Sequence, residues 1–267
     1  MPLIDEMSTI LSDSEILSDR NRIASYLTDE SHLEGGIPVA VARPDSVHKI
    51  SNLLSVCSRL GQPVTLQGGR TGLVGGCVPK TGDLVLSLEK MNAIDPPDCL
   101  SRTICVGAGA TLEVVQNVCA EAGLQLGIDL PSRGTATIGG MVASNAGGIS
   151  AFRYGMMRDM VSGLEFITGD GRIVKDMNGL LKDNSGLALR QLLIGSEGSL
   201  GVVSRIRLKL QLRDRFKSVA LLALGSFAAA QGVLHLAREQ AGFVPSALEL
   251  MWADFFHFAT THVSSPL

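Results

Sequence analysis

Aromatic side chains are scarce in this 267-residue sequence: one tryptophan, two tyrosines and eight phenylalanines make up 4% of it. A core built with so few rings rests on aliphatic packing, and the hydrophobic content of 45% supplies it. An excess of one charge is missing too. Lysine and arginine number 23 against 26 acids, for a net charge of −3, and the basic residues are scattered. Nucleic-acid binding needs clustered cations, so no nucleic-acid partner is expected. The longest apolar run, near Val219 to Leu224, is too short for a bilayer, so no transmembrane segment is expected either. Paired cysteine motifs are absent: Cys57, Cys77, Cys99, Cys105 and Cys119 are odd in number and form no CxxC. Asp5, Glu6, Asp13, Glu15 and Asp19 precede the first basic residue, which is opposite to a signal or transit peptide. These features predict reduced thiols in a cytoplasmic protein.

What the chain has in quantity is glycine, 30 residues in all. The densest cluster is QGGRTGLVGG (Gln67 to Gly76), set between the apolar runs Pro63–Leu66 and Leu84–Leu88, which read as buried strands. Glycine gives access to positive φ and to close backbone approach. A loop of this kind either cradles phosphate oxygens with its peptide N–H groups or simply connects two strands tightly. A second stretch, DLPSRGTATIGGMVASNAGG (Asp129 to Gly148), crowds small residues with the hydroxyls of Ser132, Thr135, Thr137 and Ser144 and the amide of Asn145. It suits a flat or extended ligand, or a tightly packed helix start. A third cluster is GSEGSLG (Gly195 to Gly201).

Around these turns the pattern interleaves sheet and helix. Residues 1 to 35 read as a helical, acidic lead-in without chemistry. Pro38 to Pro44 reads as a short strand, and Ser46 caps a helix through Leu60 that ends at Gly61. Thr103 to Val106 is a strand, and Thr111 caps a helix running to Gly123. The turn between them, GAGATL (Gly107 to Leu112), begins like a GxGxxG nucleotide fingerprint. Leu112 stands where the third glycine is needed, which favours a plain strand-to-helix turn. Gly163 to Asp176 reads as a hairpin turning at Gly169-Asp170-Gly171, and Ile206, Leu208, Leu210 and Leu212 alternate as a half-buried strand.

Three such turns in this order resemble the FAD-binding domain of the vanillyl-alcohol oxidase/p-cresol methylhydroxylase (PCMH-type) family. The resemblance is strongest to its FAD-linked D-2-hydroxyacid dehydrogenase branch, to which a glycolate oxidase component also belongs. It is carried by PVTLQGGRTGLVGGCVP, by ATIGGMVASNAGG followed by FRYG, and by LKDNSGLALRQLLIGSEGSLGVV. It implies an α+β protein with a helical lead-in over 1–35 and a PCMH-type FAD-binding domain of two α+β subdomains over 36–213. Residues 214–267 would begin a ferredoxin-like substrate-binding cap that is incomplete.

The resemblance also places the cofactor. Gly68, Gly69, Thr71, Gly72, Gly75 and Gly76 match the family's pyrophosphate loop, within which Arg70 stands where asparagine or glycine is common. Pro131, Ser132, Thr137, Gly139, Gly140, Ser144, Asn145 and Gly148 match the segment along the flavin and ribityl chain. Gly198 and Val202 or Val203 match the closing turn. No histidine lies in these turns, which implies non-covalent FAD. The implied activity is oxidation of a small D-2-hydroxy acid such as lactate, glycolate or 2-hydroxyglutarate to the 2-oxo acid. Electrons would pass to an acceptor or a partner subunit.

The cap departs from the family. Its segment from Ser218 to Gln240 reads as strand then helix, and Ser246 to Met251 as a second strand. The family's histidine-bearing cap motif, with its metal ligands and catalytic base, has no counterpart, and His235, His257 and His262 do not match it. No catalytic residue and no metal site are therefore assigned. The other reading is a non-catalytic FAD-binding subunit of a multi-subunit oxidase complex.

Overall fold

The computed structural model describes residues 2–180, 182–239 and 244–262. The chain opens with α1 (Pro2–Ile10), β1 (Ile16–Leu17), α2 (Arg20–Ile23) and β2 (Ala40–Ala42). Helix α3 (Val47–Leu60) follows, bounded as its sequence dictates. Ser46 has extended backbone and accepts from the Lys49 N–H, while Gly61, at φ 64°, stops the helix and lets Gln62 N–H reach the Cys57 carbonyl at 2.8 Å. Ile50, Leu53, Leu54 and Cys57 form its buried face.

β3 (Val64–Gln67) and β4 (Leu84–Ser87) complete a four-stranded sheet in the order β1-β2-β4-β3. β2, β4 and β3 run parallel, and β1 adds antiparallel at the edge. A parallel sheet covered on both faces needs continuous apolar strands. Leu84, Val85 and Leu86 are accordingly all fully buried. The acidic lead-in thus contributes a strand and helices to this half.

β5 (Thr103–Gly107) begins the second half, followed by α4 (Leu112–Glu121), β6 (Leu124–Gln125) and α5 (Ile138–Ala143). After the short helices α6 (Ala151–Tyr154) and α7 (Met157–Met160), strands β7 (Val161–Ile167) and β8 (Ile173–Asp176) form the expected hairpin. Helix α8 (Arg190–Leu193) leads into β9 (Val202–Lys209) and β10 (Gln211–Leu212). The second sheet, β5-β9-β7-β8, is antiparallel throughout. Ile206 and Leu208 of β9 point into the core while Arg205 and Lys209 face out. Leu210 continues the buried side, but Leu212, in β10 where it pairs with Leu124 of β6, is exposed. One continuous apolar core runs through both halves. Ser51 and Ser55 of α3 donate to the carbonyls of Gly171 and Asp170 at the hairpin turn, tying the halves together.

Beyond Arg213 the structure departs from expectation. Neither Ser218–Leu224 nor Ser246–Met251 pairs as a strand; the described residues there form α9 (Phe227–Glu239) and α10 (Ala253–His262) with irregular chain between. Gln240, expected at the end of the first helix, lies outside the described residues. A strand exists only where a neighbour takes its backbone hydrogen bonds, and among the described residues neither segment has one. A helix satisfies its own. Neither α9 nor α10 buries a residue.

Candidate functional site, a cleft between the halves

Three glycine turns, drawn from both halves, line one cleft. The first leaves β3 after Gln67 and is packed backbone-to-backbone on the second. A Cβ on Gly68 would lie 2.4 Å from Thr137 Oγ1, and one on Gly69 would lie 2.0 Å from the Thr135 carbonyl oxygen. The second turn is held from behind by GAGATL. Leu112 N–H donates to Ala136 O at 2.9 Å, Ile138 N–H to Ala110 O at 2.8 Å and Gly139 N–H to Ala108 O at 2.8 Å. Gly107 and Gly109 themselves press on the backbone of Met91 and Leu88. That motif buttresses the second turn, and none of its residues lines the cleft. Thr137 then caps α5 by accepting from Gly140 N–H at 3.3 Å. The third turn closes the far end of α5: Gly195 N–H donates to Val142 O and Glu197 N–H to Ala143 O, at 3.0 and 2.9 Å.

Between them lies a cleft of about 340 Å³, within the range of small-molecule pockets. Of the residues expected at a cofactor, Gly68, Gly69, Arg70, Thr71, Gly72, Gly76, Ser132, Thr137, Gly139, Gly140, Ser144, Gly198 and Val203 line it. Gly75, Pro131, Asn145, Gly148 and Val202 stand outside the lining. Asn145 has a local job: at φ 48° its Oδ1 accepts from Arg158 N–H at 2.9 Å. Gly148 serves packing, since a Cβ there would sit 1.8 Å from the Asp129 carbonyl oxygen.

Sequence reasoning missed Asp29, Gln67, Cys77 and Glu197, which also line the cleft. Asp29 comes from the lead-in that showed no chemistry as sequence. It is buried, and burial pushes its carboxyl up, yet the Ser31 hydroxyl and N–H and the Cys77 thiol hold it below its ordinary value. Cys77 Sγ lies 3.4 Å from Asp29 Oδ2, and burial together with that carboxylate pushes the thiol up to about 11. Cys77 is therefore a neutral thiol at physiological pH and a poor nucleophile. His235, on α9, and His257 and His262, on α10, are not among the residues that line the cleft. No group of three His, Cys, Asp or Glu among the described residues is placed to hold a metal ion.

The donor set fits a phosphorylated dinucleotide. Among the described residues no backbone N–H from Gly69 to Cys77 donates to a protein acceptor, and seven of these residues, Gly69 to Gly72, Val74, Gly76 and Cys77, line the cleft. Diphosphate oxygens satisfy such groups without needing lysine. Gly72 is open as well: a Cβ there would meet nothing closer than 3.9 Å, so packing alone does not require glycine.

A two-part α+β fold with such a cleft between its sheets defines a PCMH-type flavoprotein domain. A family model described as FAD binding domain matches residues 38–176, and the chain belongs to that family. It is 43% identical over 190 residues to a D-2-hydroxyglutarate dehydrogenase of Xanthomonas citri pv. viticola, a match covering 71% of this chain and 40% of the relative. A mitochondrial D-2-hydroxyglutarate dehydrogenase of Arabidopsis thaliana is 33% identical over 254 residues, covering 95% of this chain and 45% of that one. The chain thus spans less than half the length of these curated relatives. An alkyldihydroxyacetonephosphate synthase structure superposes with a TM-score of 0.76 at 18% identity, covering 92% of this chain and 46% of that one, which establishes the shared fold. No helix among the described residues is long and apolar enough to cross a membrane.

Proposed function

We propose that this chain holds FAD non-covalently and forms the flavin-carrying part of an oxidoreductase that converts a D-2-hydroxy acid to the 2-oxo acid. The observation that supports it most is the set of N–H groups without protein acceptors, at Gly69 to Gly72, Val74, Gly76 and Cys77, in residues that line one cleft together with the hydroxyl-bearing Ser132, Thr137 and Ser144. Bound FAD supplies the two-electron acceptor; the protein supplies position and electrostatics. The first turn offers peptide donors to the diphosphate. Ser144 gives its own proton to Gly140 O at 3.0 Å, so toward a ligand its hydroxyl acts as an acceptor. Leu66, Leu88, Met141, Leu193 and Val203 give the cleft apolar walls against which a flat ring can rest.

The substrate class is taken from the two dehydrogenases just described. 2-Hydroxyglutarate, lactate and glycolate are all candidates, with a separate electron acceptor or partner subunit completing the cycle. Five free cysteines suit the reducing cytoplasm. A second reading, a non-catalytic FAD-binding subunit, is favoured by the cleft's titratable lining. Beside Arg70 and Glu197, that lining offers a neutral thiol, Cys77, and a carboxylate held low, Asp29, neither of which is tuned as a base for a hydroxyl proton.

Purified protein should carry a flavin spectrum, and acid precipitation should release the colour into the supernatant. Anaerobic addition of D-2-hydroxyglutarate, D-lactate or glycolate then separates the two readings by whether the flavin bleaches. A colourless protein that takes up no added FAD rules out both.

A further inference from the structure

Among the described residues that line the cleft, Arg70 is the one cation; the other charged groups there, Asp29 and Glu197, are acids. It is also the one non-glycine residue with positive φ in the first glycine turn, at 55°. That region is costly for a side chain of this size, and asparagine or glycine enters it more readily. Gly68 and Gly69 are pinned against Thr137 and Thr135, so the backbone delivers Arg70 to its place whatever the side chain prefers.

The guanidinium is held there by an aromatic face, with its carbon 4.8 Å from the centre of the Tyr26 ring. Among the described residues it has no carboxylate partner. Tyr26 is itself fixed. It is buried, its hydroxyl donates to Glu89 at 3.1 Å, Glu89 pairs with Arg43 at 2.9 Å, and its carbonyl accepts from Gln67 Nε2 at 2.8 Å. Stacking engages the face of a guanidinium and leaves its N–H edges free for a planar or tetrahedral anion.

We propose that Arg70, steadied by Tyr26, is the charged contact for the diphosphate of the dinucleotide, which rests on the FAD reading above. The lead-in segment then belongs to the cofactor site: it supplies the platform that aims the one cation. A diphosphate brings two negative charges into a cleft that otherwise carries two carboxylates, so removing that cation leaves net repulsion.

The test is FAD titration of the flavin-free 267-residue chain, followed by fluorescence quenching at several potassium chloride concentrations, with melting of the flavin-free protein alongside. Arg70→Asn keeps a residue that tolerates the left-handed backbone. It should weaken FAD binding by roughly 10- to 100-fold and flatten the salt dependence, while the melting temperature holds or rises. Arg70→Lys should restore the salt dependence and part of the affinity. Unchanged affinity and salt dependence in Arg70→Asn overturn the proposal. So does weakened binding with unaltered salt dependence that lysine fails to restore, which would mark a purely structural role. If the wild-type chain takes up no FAD at all, the FAD reading falls and this inference with it.

Discussion

Gln67 Nε2 donates to the carbonyl oxygen of Cys77 at 2.8 Å, so one side chain ties together the two ends of the first glycine turn. The same nitrogen donates to Tyr26 O, also at 2.8 Å, and fastens the lead-in to the turn. Gln67 is almost wholly buried, so these bonds are shielded from water. They give a loop rich in glycine, with little intrinsic order of its own, a fixed shape before any ligand arrives.

Gln67→Glu tests that tie. A carboxylate of the same shape would face two carbonyl oxygens with no proton to give. Unfolding in urea should show a loss of about 2–4 kcal/mol, and amide exchange across residues 68–77 should quicken. Undiminished stability and protection would mean the turn is ordered by its glycine contacts alone.

The glycines of the site divide into those that packing demands and those that it leaves open. Gly69→Ala would drive a Cβ to 2.0 Å from the Thr135 carbonyl oxygen, with an expected cost of about 1–3 kcal/mol. Gly72 has no such neighbour and no positive φ. Gly72→Val should therefore melt close to wild type yet lose FAD binding, because the added methyl groups enter space the cofactor needs. Gly140→Val should also lose FAD, with some loss of stability because Thr137 Oγ1 stands 3.2 Å away. Wild-type FAD affinity in Gly72→Val would move the cofactor away from this turn.

How much of this was legible beforehand depends on how local the cause is. β3, β4 and the turn between them are written in adjacent residues, since buried parallel strands are apolar runs and the glycines mark the connection. Ser46 and Gly61 announced both ends of α3. Asp29, which lines the cleft, and Tyr26, which holds lining residues, were invisible because contacts such as Gln67 to Tyr26 span 41 positions, and nothing near them in sequence signals it. Gly69, Gly139 and Gly148 looked like cofactor glycines, yet each also has a backbone or Cβ neighbour that a side chain would strike. Composition cannot separate those two reasons for a glycine. The strands expected in Ser218–Leu224 and Ser246–Met251 failed because alternation and apolar content describe one strand, while pairing needs two.

Glu15 offers a pH test of the lead-in's attachment. It is almost fully buried, and burial alone would raise its carboxyl. Lys49 Nζ at 2.8 Å and the Ser12 N–H and hydroxyl bring it down to about 2 from an ordinary 4.5. A depressed carboxyl contributes stability that is present above its unfolded value and lost as the pH falls through its folded one. Glu15→Gln should therefore cost about 2 kcal/mol at pH 7, and the gap to wild type should narrow steadily between pH 4.5 and about 2. A gap that stays constant over that range would show that the carboxylate's charge is not what matters.

The segment after Arg213 sets the last expectation. Phe216 is 90% exposed, Val219 98% and Trp252 64%, and neither of its helices buries a residue. The main body keeps hold of its start, where Asp214 accepts from Tyr154 and Gln125, both at 3.2 Å. Past that point the described contacts thin to features such as Arg238 over the Phe152 ring at 5.1 Å. Apolar surface of this kind favours self-association until something covers it. Ending the chain after Lys217 should therefore leave FAD affinity and melting temperature essentially unchanged and reduce aggregation. Substrate must also be held within roughly 3–3.5 Å of its reaction partner for efficient transfer, and an uncovered segment cannot close over it. Stopped-flow mixing of the 267-residue flavoprotein with D-2-hydroxyglutarate should show slow bleaching or none. Joining the chain to the remaining part of the Xanthomonas relative should accelerate it by orders of magnitude. Rapid bleaching by the chain alone would place the missing acid–base groups among the residues already in hand, with Asp29 and Glu197 the first to mutate.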